Sequence, residues 1–227
     1  MNILVLGASR GIGLELVRQY LAAGDRVTAT ARDEAGLAHL TALGAKAFEL
    51  DISNPASISG LGLQLEGEKI DLALYVAGVF AKDNALTPPT QDAFDAVMHT
   101  NVLGAMQALP QVAPMVEVAQ GIFCFVTSEM GHISGVGSSN AWLYRTSKAA
   151  LNMAVVAAQG DYPAARMVLM HPGWVQTDMG TAKAPLTPQT SVTGMRATLA
   201  TLETKPTNRT PQDVPFLQWD GKAFAHW

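Results

Sequence analysis

Asn2-Ile3-Leu4-Val5-Leu6 runs without a break into Gly7-Ala8-Ser9-Arg10-Gly11-Ile12-Gly13. The first five residues read as a buried strand, because a parallel strand covered on both faces is continuously apolar instead of alternating. No basic segment or small-residue cleavage pattern precedes the turn, so the start is not read as a signal peptide. Residues 14–23 then carry helical spacing and are closed by Gly24. A glycine turn that links a first strand to a first helix allows close backbone approach and aims unpaired N–H groups at an anion, most simply a dinucleotide pyrophosphate. The spacing is GxxxGxG, not the commoner GxGxxG. An ordinary strand–helix turn is the plain alternative.

Outward from the turn the same grammar repeats. Strands are expected at 26–31, 46–50, 70–77, 122–127, 166–171 and 216–219. Helices are expected from Asp33 to near Gly44, from an Asn54-Pro55 start to about Glu66, over 92–109 with Pro110 and Pro114 ending or kinking it, over 142–158 and over 187–202. Alternating strands and helices with short connections predict an α/β fold, a single-domain Rossmann-type doubly wound parallel sheet over residues 1–227 with helices on both faces. Residues 180–190, rich in Thr, Pro and Ala, break the rhythm and are expected to form a loop, serving as a substrate lid.

Composition narrows the function. With 15 Lys+Arg against 19 Asp+Glu the net charge is −4, and no basic cluster stands out, which argues against nucleic acid or an anionic membrane as partner. No uncharged apolar run approaches the roughly 18 residues that span a bilayer. The one cysteine, Cys124, cannot form an internal disulfide. None of His39, His99, His132, His171 and His226 has metal-ligand spacing, so no metal is expected. The reading is a cytoplasmic protein. Residues 98–106 and 149–158 are apolar enough for a homo-oligomer face, and equally for packing within the chain.

Coenzyme choice turns on the end of the second strand, Thr30-Ala31-Arg32. Arg10 and Arg32 suit a 2′-phosphate, favouring NADP(H) over NAD(H). Asp33 is read as the cap of the next helix, although a carboxylate there is able to hold ribose hydroxyls instead. Tyr144-Arg145-Thr146-Ser147-Lys148 places a phenol and an ammonium on one helix face. The nearby cation is expected to bring the phenol well below its ordinary pKa of about 10. A solvated helix pair is the plain alternative. Ser128 closes a strand at the ligand-binding edge of the sheet, or simply caps the next turn. Asn101 falls inside a helix, where asparagine is mildly unfavourable.

In order along the chain, the glycine turn, Ser128, Tyr144-x-x-x-Lys148 and Pro172-Gly173 resemble the short-chain dehydrogenase/reductase family over essentially the whole length. His171-Pro172-Gly173-Trp174-Val175-Gln176-Thr177-Asp178-Met179 and the terminal Asp220-Gly221 to Trp227 look like its C-factor/carbonyl-reductase-like branch. The resemblance implies that Tyr144 donates a proton, Lys148 lowers its pKa and binds the nicotinamide ribose, Ser128 holds the substrate oxygen, and Asn101 supports a water relay. The coenzyme contacts read from the turn and the strand end, Gly7, Ser9, Arg10, Gly11, Ile12, Gly13 and Arg32, fit this resemblance. The resemblance also assigns coenzyme contacts to Asp51, Ile52, Ala77, Gly78, Pro172, Gly173, Val175 and Thr177. Val79, Phe80, Met130, Trp142, Trp174 and Met179 are candidate walls for an apolar carbonyl or alcohol substrate, with core packing as the alternative.

Three positions depart from the family pattern. Leu6 precedes Gly7, Val76 stands where an Asn usually braces the sheet, and Ser128 and Tyr144 are 16 residues apart, which places an insertion at 135–141. Ser134, Ser138 and Ser139 are rivals to Ser128. The expected function is an NADPH-dependent carbonyl reductase acting on an aldehyde, ketone or quinone. The alternatives are a dinucleotide-binding regulator with little turnover and an NAD-linked alcohol dehydrogenase.

Overall fold

The computed structural model describes residues 1–205 and 207–225, so the readings of His226 and Trp227 lie outside the described residues. Seven strands, β1 (Asn2–Leu6), β2 (Arg26–Ala31), β3 (Lys46–Glu49), β4 (Leu72–Tyr75), β5 (Ile122–Val126), β6 (Arg166–His171) and β7 (Phe216–Gln218), form one sheet in the order β3-β2-β1-β4-β5-β6-β7. Every pairing is parallel; Ile3, for example, stands opposite both Val27 and Leu72. The chain leaves β1 in one direction toward β2 and returns on its other side at β4. The crevice for a ligand opens beyond the carboxyl ends of the strands at that reversal.

Side chains alternate along β1, so Ile3 and Val5 enter one core and Leu4 and Leu6 the other. The first core is closed by Leu16 and Val17 of α1 (Gly11–Ala22), Leu40 of α2 (Glu34–Ala42), and Val192 and Met195 of α8 (Pro188–Ala200). The second packs Tyr75, Phe123 and Phe125 beneath two long helices. Each fully buried aliphatic or aromatic side chain contributes about 1.5–3 kcal/mol. Asp33 caps α2, its carboxylate accepting from the Gly36 N–H at 2.8 Å.

Three expected elements come out differently. The helix opened by Asn54-Pro55 splits into α3 (Pro55–Ile58) and α4 (Leu61–Gln64). Ser59 turns its hydroxyl onto the Ala56 carbonyl at 2.7 Å, and Gly60 follows, a pair that favours a break. The helix expected over 92–109 is three pieces, α5 (Gln91–Met98), a π-helical turn (His99–Leu103) and α6 (Gly104–Ala119). Pro110 and Pro114 lie inside α6 and do not end it. Both face solvent, as does Met106, so water can reach carbonyls left without an N–H partner. Finally, residues 188–190 belong to the first turn of α8, where Thr187 Oγ1 accepts from the Thr190 N–H at 3.1 Å. Only 180–187 is loop.

Candidate active site

The glycine turn is set by contact. A Cβ added at Gly7, where φ is +88°, would stand 2.8 Å from the Ala77 nitrogen, and one at Gly13 only 2.2 Å from the Gly7 carbonyl oxygen. Thr30 fixes the turn to β2, its hydroxyl accepting from the Gly7 N–H at 3.0 Å and its carbonyl from the Ala8 N–H at 2.8 Å. α1 then starts with no side chain capping its first N–H groups, which leaves them to the cavity in front.

That cavity, about 480 Å³, runs along the carboxyl ends of the strands. From the turn Gly7, Ser9, Arg10, Gly11, Ile12 and Gly13 line it; from the ends of β2, β3 and β4 come Arg32, Asp51, Ile52, Ala77 and Gly78. Tyr144, Lys148, Pro172 and Thr177 close it on the far side. Gly173 and Val175 do not reach it. A Cβ on Gly173 would run into Leu186, and Val175 is buried in a bridge to that same leucine. Arg32 is exposed with no acid partner among the described residues, whereas Arg10 Nη1 pairs with Asp178 Oδ2 at 3.1 Å.

Tyr144 and Lys148 share one face of α7 (Trp142–Ala158), with Nζ 5.7 Å from the ring centre, and both are buried. Lys148 donates to the Val126 carbonyl at 3.0 Å. No carboxylate lies against it among the described residues, and burial pulls its ammonium down to about 8. The Tyr144 phenol is hydrogen-bonded to Ser128, yet burial pushes it up to about 12. This corrects the expectation of a phenol already lowered by its neighbour: desolvation outweighs the lowering that the Ser128 hydrogen bond brings. Ser128 also caps a short turn, accepting from the Met130 N–H at 3.1 Å. Ser134 and Ser138 are exposed in the stretch before α7, with Ser139 half-buried.

Asn101 sits in the π-helical turn, which explains an asparagine inside a helix. The wider turn carries the buried side chain to the loop after β4, where Oδ1 accepts from the Val79 N–H at 2.8 Å and Nδ2 donates to the Val79 carbonyl at 2.9 Å. Nδ2 also donates to Ser147 Oγ at 2.9 Å. Tyr75 steadies the turn by donating to the Thr100 carbonyl at 2.9 Å.

Of the candidate substrate walls, Val79 and Met179 line the cavity. Phe80, Met130, Trp142 and Trp174 do not, which corrects their reading as walls of one enclosed space. Phe80 packs against the Tyr144 ring at 5.0 Å while staying 41% exposed, and Trp142 opens the same helix at 41% exposure. Trp174 donates from its indole to the Gly180 carbonyl at 2.6 Å. Of these, Phe80 is the one in ring contact with the phenol among the described residues. The loop over 180–187 is tied down by Gln176, which donates to the carbonyls of Leu186 at 2.8 Å and Ala184 at 2.9 Å.

Sequence reading missed Asp83, whose carboxylate accepts from the Leu143 N–H at 3.2 Å and whose carbonyl accepts from the Ala141 N–H at 2.9 Å. It holds the entrance to α7, where Ala141 adopts φ +56°. Nothing in an aperiodic loop announces that task. It also missed Thr127, which lines the cavity and donates to Asn152 Oδ1 at 2.6 Å. Its place directly before Ser128 was the available signal.

The model of the short chain dehydrogenase family matches residues 1–186. The chain belongs to that family. Its members are NAD(P)-dependent oxidoreductases, and so is this chain. It is 42% identical over 100 residues to C-signal of Myxococcus xanthus, a match covering 42% of this chain and 59% of that protein. A structure from Burkholderia multivorans described as a short-chain dehydrogenase/reductase with bound NADP superimposes with a TM-score of 0.86 at 30% identity, covering 100% of this chain and 99% of that one. The carbonyl reductase Sniffer of D. melanogaster gives 0.87 at 26% identity, with the same coverage. These similarities fall in the carbonyl-reductase-like branch of the family. No helix among the described residues is long and apolar enough to cross a membrane, and no three or more His, Cys, Asp or Glu side chains among them gather to hold a metal ion.

Proposed function

We propose that the chain is an NADPH-dependent carbonyl reductase whose proton donor is Tyr144. The observation that carries this reading is the buried Lys148 ammonium, which has one protein acceptor and lies in the cavity beside a phenol bonded to Ser128. An ammonium so placed has protons to give to an incoming hydroxyl-bearing ligand. The free N–H groups at the start of α1 suit a pyrophosphate, and Arg32, with no acid partner among the described residues, suits a 2′-phosphate. The bound coenzyme supplies the hydride. Ser128 and Tyr144 together hold the carbonyl oxygen of the substrate, and Tyr144 gives up its hydroxyl proton as that oxygen gains charge. A phenol that stays protonated across the neutral range is in the correct state to donate, which suits the reductive half of the reaction. Lys148, positively charged below about pH 8, stabilises the phenolate left behind. Asn101 holds Val79 and Ser147 in register with this group and is proposed to anchor a water path to Lys148. The exposed Phe80 ring against Tyr144, with Val79 and Met179 lining the cavity, fits an apolar or aromatic aldehyde, ketone or quinone, and the loop over 180–187 is proposed to cover it.

The test is NADPH oxidation with a panel of aldehydes, diketones and quinones, repeated with Tyr144→Phe. Turnover lost in the variant with coenzyme binding kept supports the reading. The similarity to C-signal favours one other reading, a dinucleotide-binding protein whose output is regulatory. Tight NADPH binding with no turnover on any carbonyl would select it.

A further inference from the structure

We propose that Asp178 sets the coenzyme preference of the cleft by competing with a 2′-phosphate for Arg10. This rests on reading the cavity as a dinucleotide site. Arg10 rises from the glycine turn and Asp178 from the segment after β6, so the two approach from opposite banks, and both line the cavity. Their contact, 3.1 Å from Nη1 to Oδ2, joins the banks. A second contact lies alongside it, for a Cβ on Gly11 would stand 3.2 Å from the Thr177 methyl. Both partners of the ion pair are largely exposed, at 68% and 77%, so the pair is weak and exchangeable.

The two arginines suited to a 2′-phosphate therefore differ in state. Arg32 carries no acid partner among the described residues, and Asp33 next to it is engaged with the Gly36 N–H. Arg10 is occupied. A phosphate dianion offers a guanidinium more charge and more acceptors than one carboxylate, and takes it in a bidentate grip. NADP binding thus includes an exchange of Arg10 from Asp178 to phosphate, whereas NAD, which lacks that phosphate, leaves the pair intact. Asp178 acts as a built-in competitor that narrows the preference for NADP.

The experiment measures dissociation constants of NADP⁺ and NAD⁺ by calorimetry for the wild type, Asp178→Asn, Arg10→Met and the double variant, all surface substitutions checked for folding by circular dichroism. Asp178→Asn is expected to tighten NADP⁺ about two- to fivefold, the range of an exposed ion pair, and to leave NAD⁺ unchanged. In the Arg10→Met background the same substitution is expected to change neither. Unchanged or weaker NADP⁺ binding in Asp178→Asn, equal tightening of both coenzymes, or a gain that persists without Arg10 overturns the proposal while the dinucleotide site stands. A wild type that binds neither coenzyme overturns the dinucleotide site, and the proposal with it.

Discussion

Lys148 Nζ lies 3.0 Å from the carbonyl oxygen of Val126. That bond anchors a buried ammonium to the last residue of β5, two residues before Ser128, so the sheet edge and the helix that carries Tyr144 are fastened beside the phenol.

Burying that ammonium has an energetic cost. Lys148 holds its proton up to its ordinary 10.5 when unfolded but only to about 8 when folded. The unfolded chain binds more protons between those values, so this group lowers stability at neutral pH and the loss is recovered as pH rises from about 8 to 10.5. The full shift corresponds to roughly 3 kcal/mol, partly offset by the bond to Val126. Lys148→Met is therefore expected to be more stable than the wild type by about 1–3 kcal/mol at pH 7, with the difference vanishing toward pH 10.5, and to be inactive. Urea unfolding of both proteins across that range measures it.

Tyr144→Phe removes only the hydroxyl and keeps the ring against Phe80. Carbonyl reduction is expected to fall by about 10²–10⁴-fold with NADPH affinity within a factor of about two. In the wild type, kcat/KM for reduction is expected to be level from pH 6 to 7 and to decline above about 8, as Lys148 loses its charge. Stopped-flow rates over a pH series decide this.

Arg32→Ala deletes a guanidinium at the end of β2 that has no acid partner among the described residues. NADP⁺ binding is expected to weaken about tenfold and NAD⁺ binding to stay unchanged, since a hydrogen bond to a charged group is worth about 1.5–3 kcal/mol and this one is exposed. An unaltered ratio of the two dissociation constants would refute a role for Arg32 in holding the 2′-phosphate.

Asn101→Ala strands the Val79 N–H and carbonyl in a partly buried setting. A loss of about 2–4 kcal/mol is expected from unsatisfied polar groups, with activity falling further than the unfolded fraction explains. Paired denaturation curves and rates on the folded fraction separate the two effects.

The sheet was legible because β1, β4, β5 and β6 are nearly continuous apolar runs and β2 is short and β-branched, and Asp33 and Asn54 announced their helices by residue type. The glycine turn, Ser128, Tyr144 and Lys148 were legible as a set because each belongs to a short motif at a fixed place in that alternation. Other features depend on partners remote in sequence. Arg10 meets Asp178 and Leu143 meets Asp83 only after folding, and the phenol's rise reflects burial that no local spacing encodes. Pro110 and Pro114 misled because a proline's effect depends on whether its helix face meets water.

The extra residue of the π-helical turn at His99–Leu103 separates two properties that a regular helix would bind together. Deleting one residue there would let α5 and α6 join as a uniform spiral with the segments on either side keeping their faces, but the widened turn that carries Asn101 would be gone. Asn101 would swing off Val79 while the sheet and its glycine turn kept their form. A chain altered in this way would still dock a nucleotide, so a small, local lesion could convert a catalyst into a pure receptor.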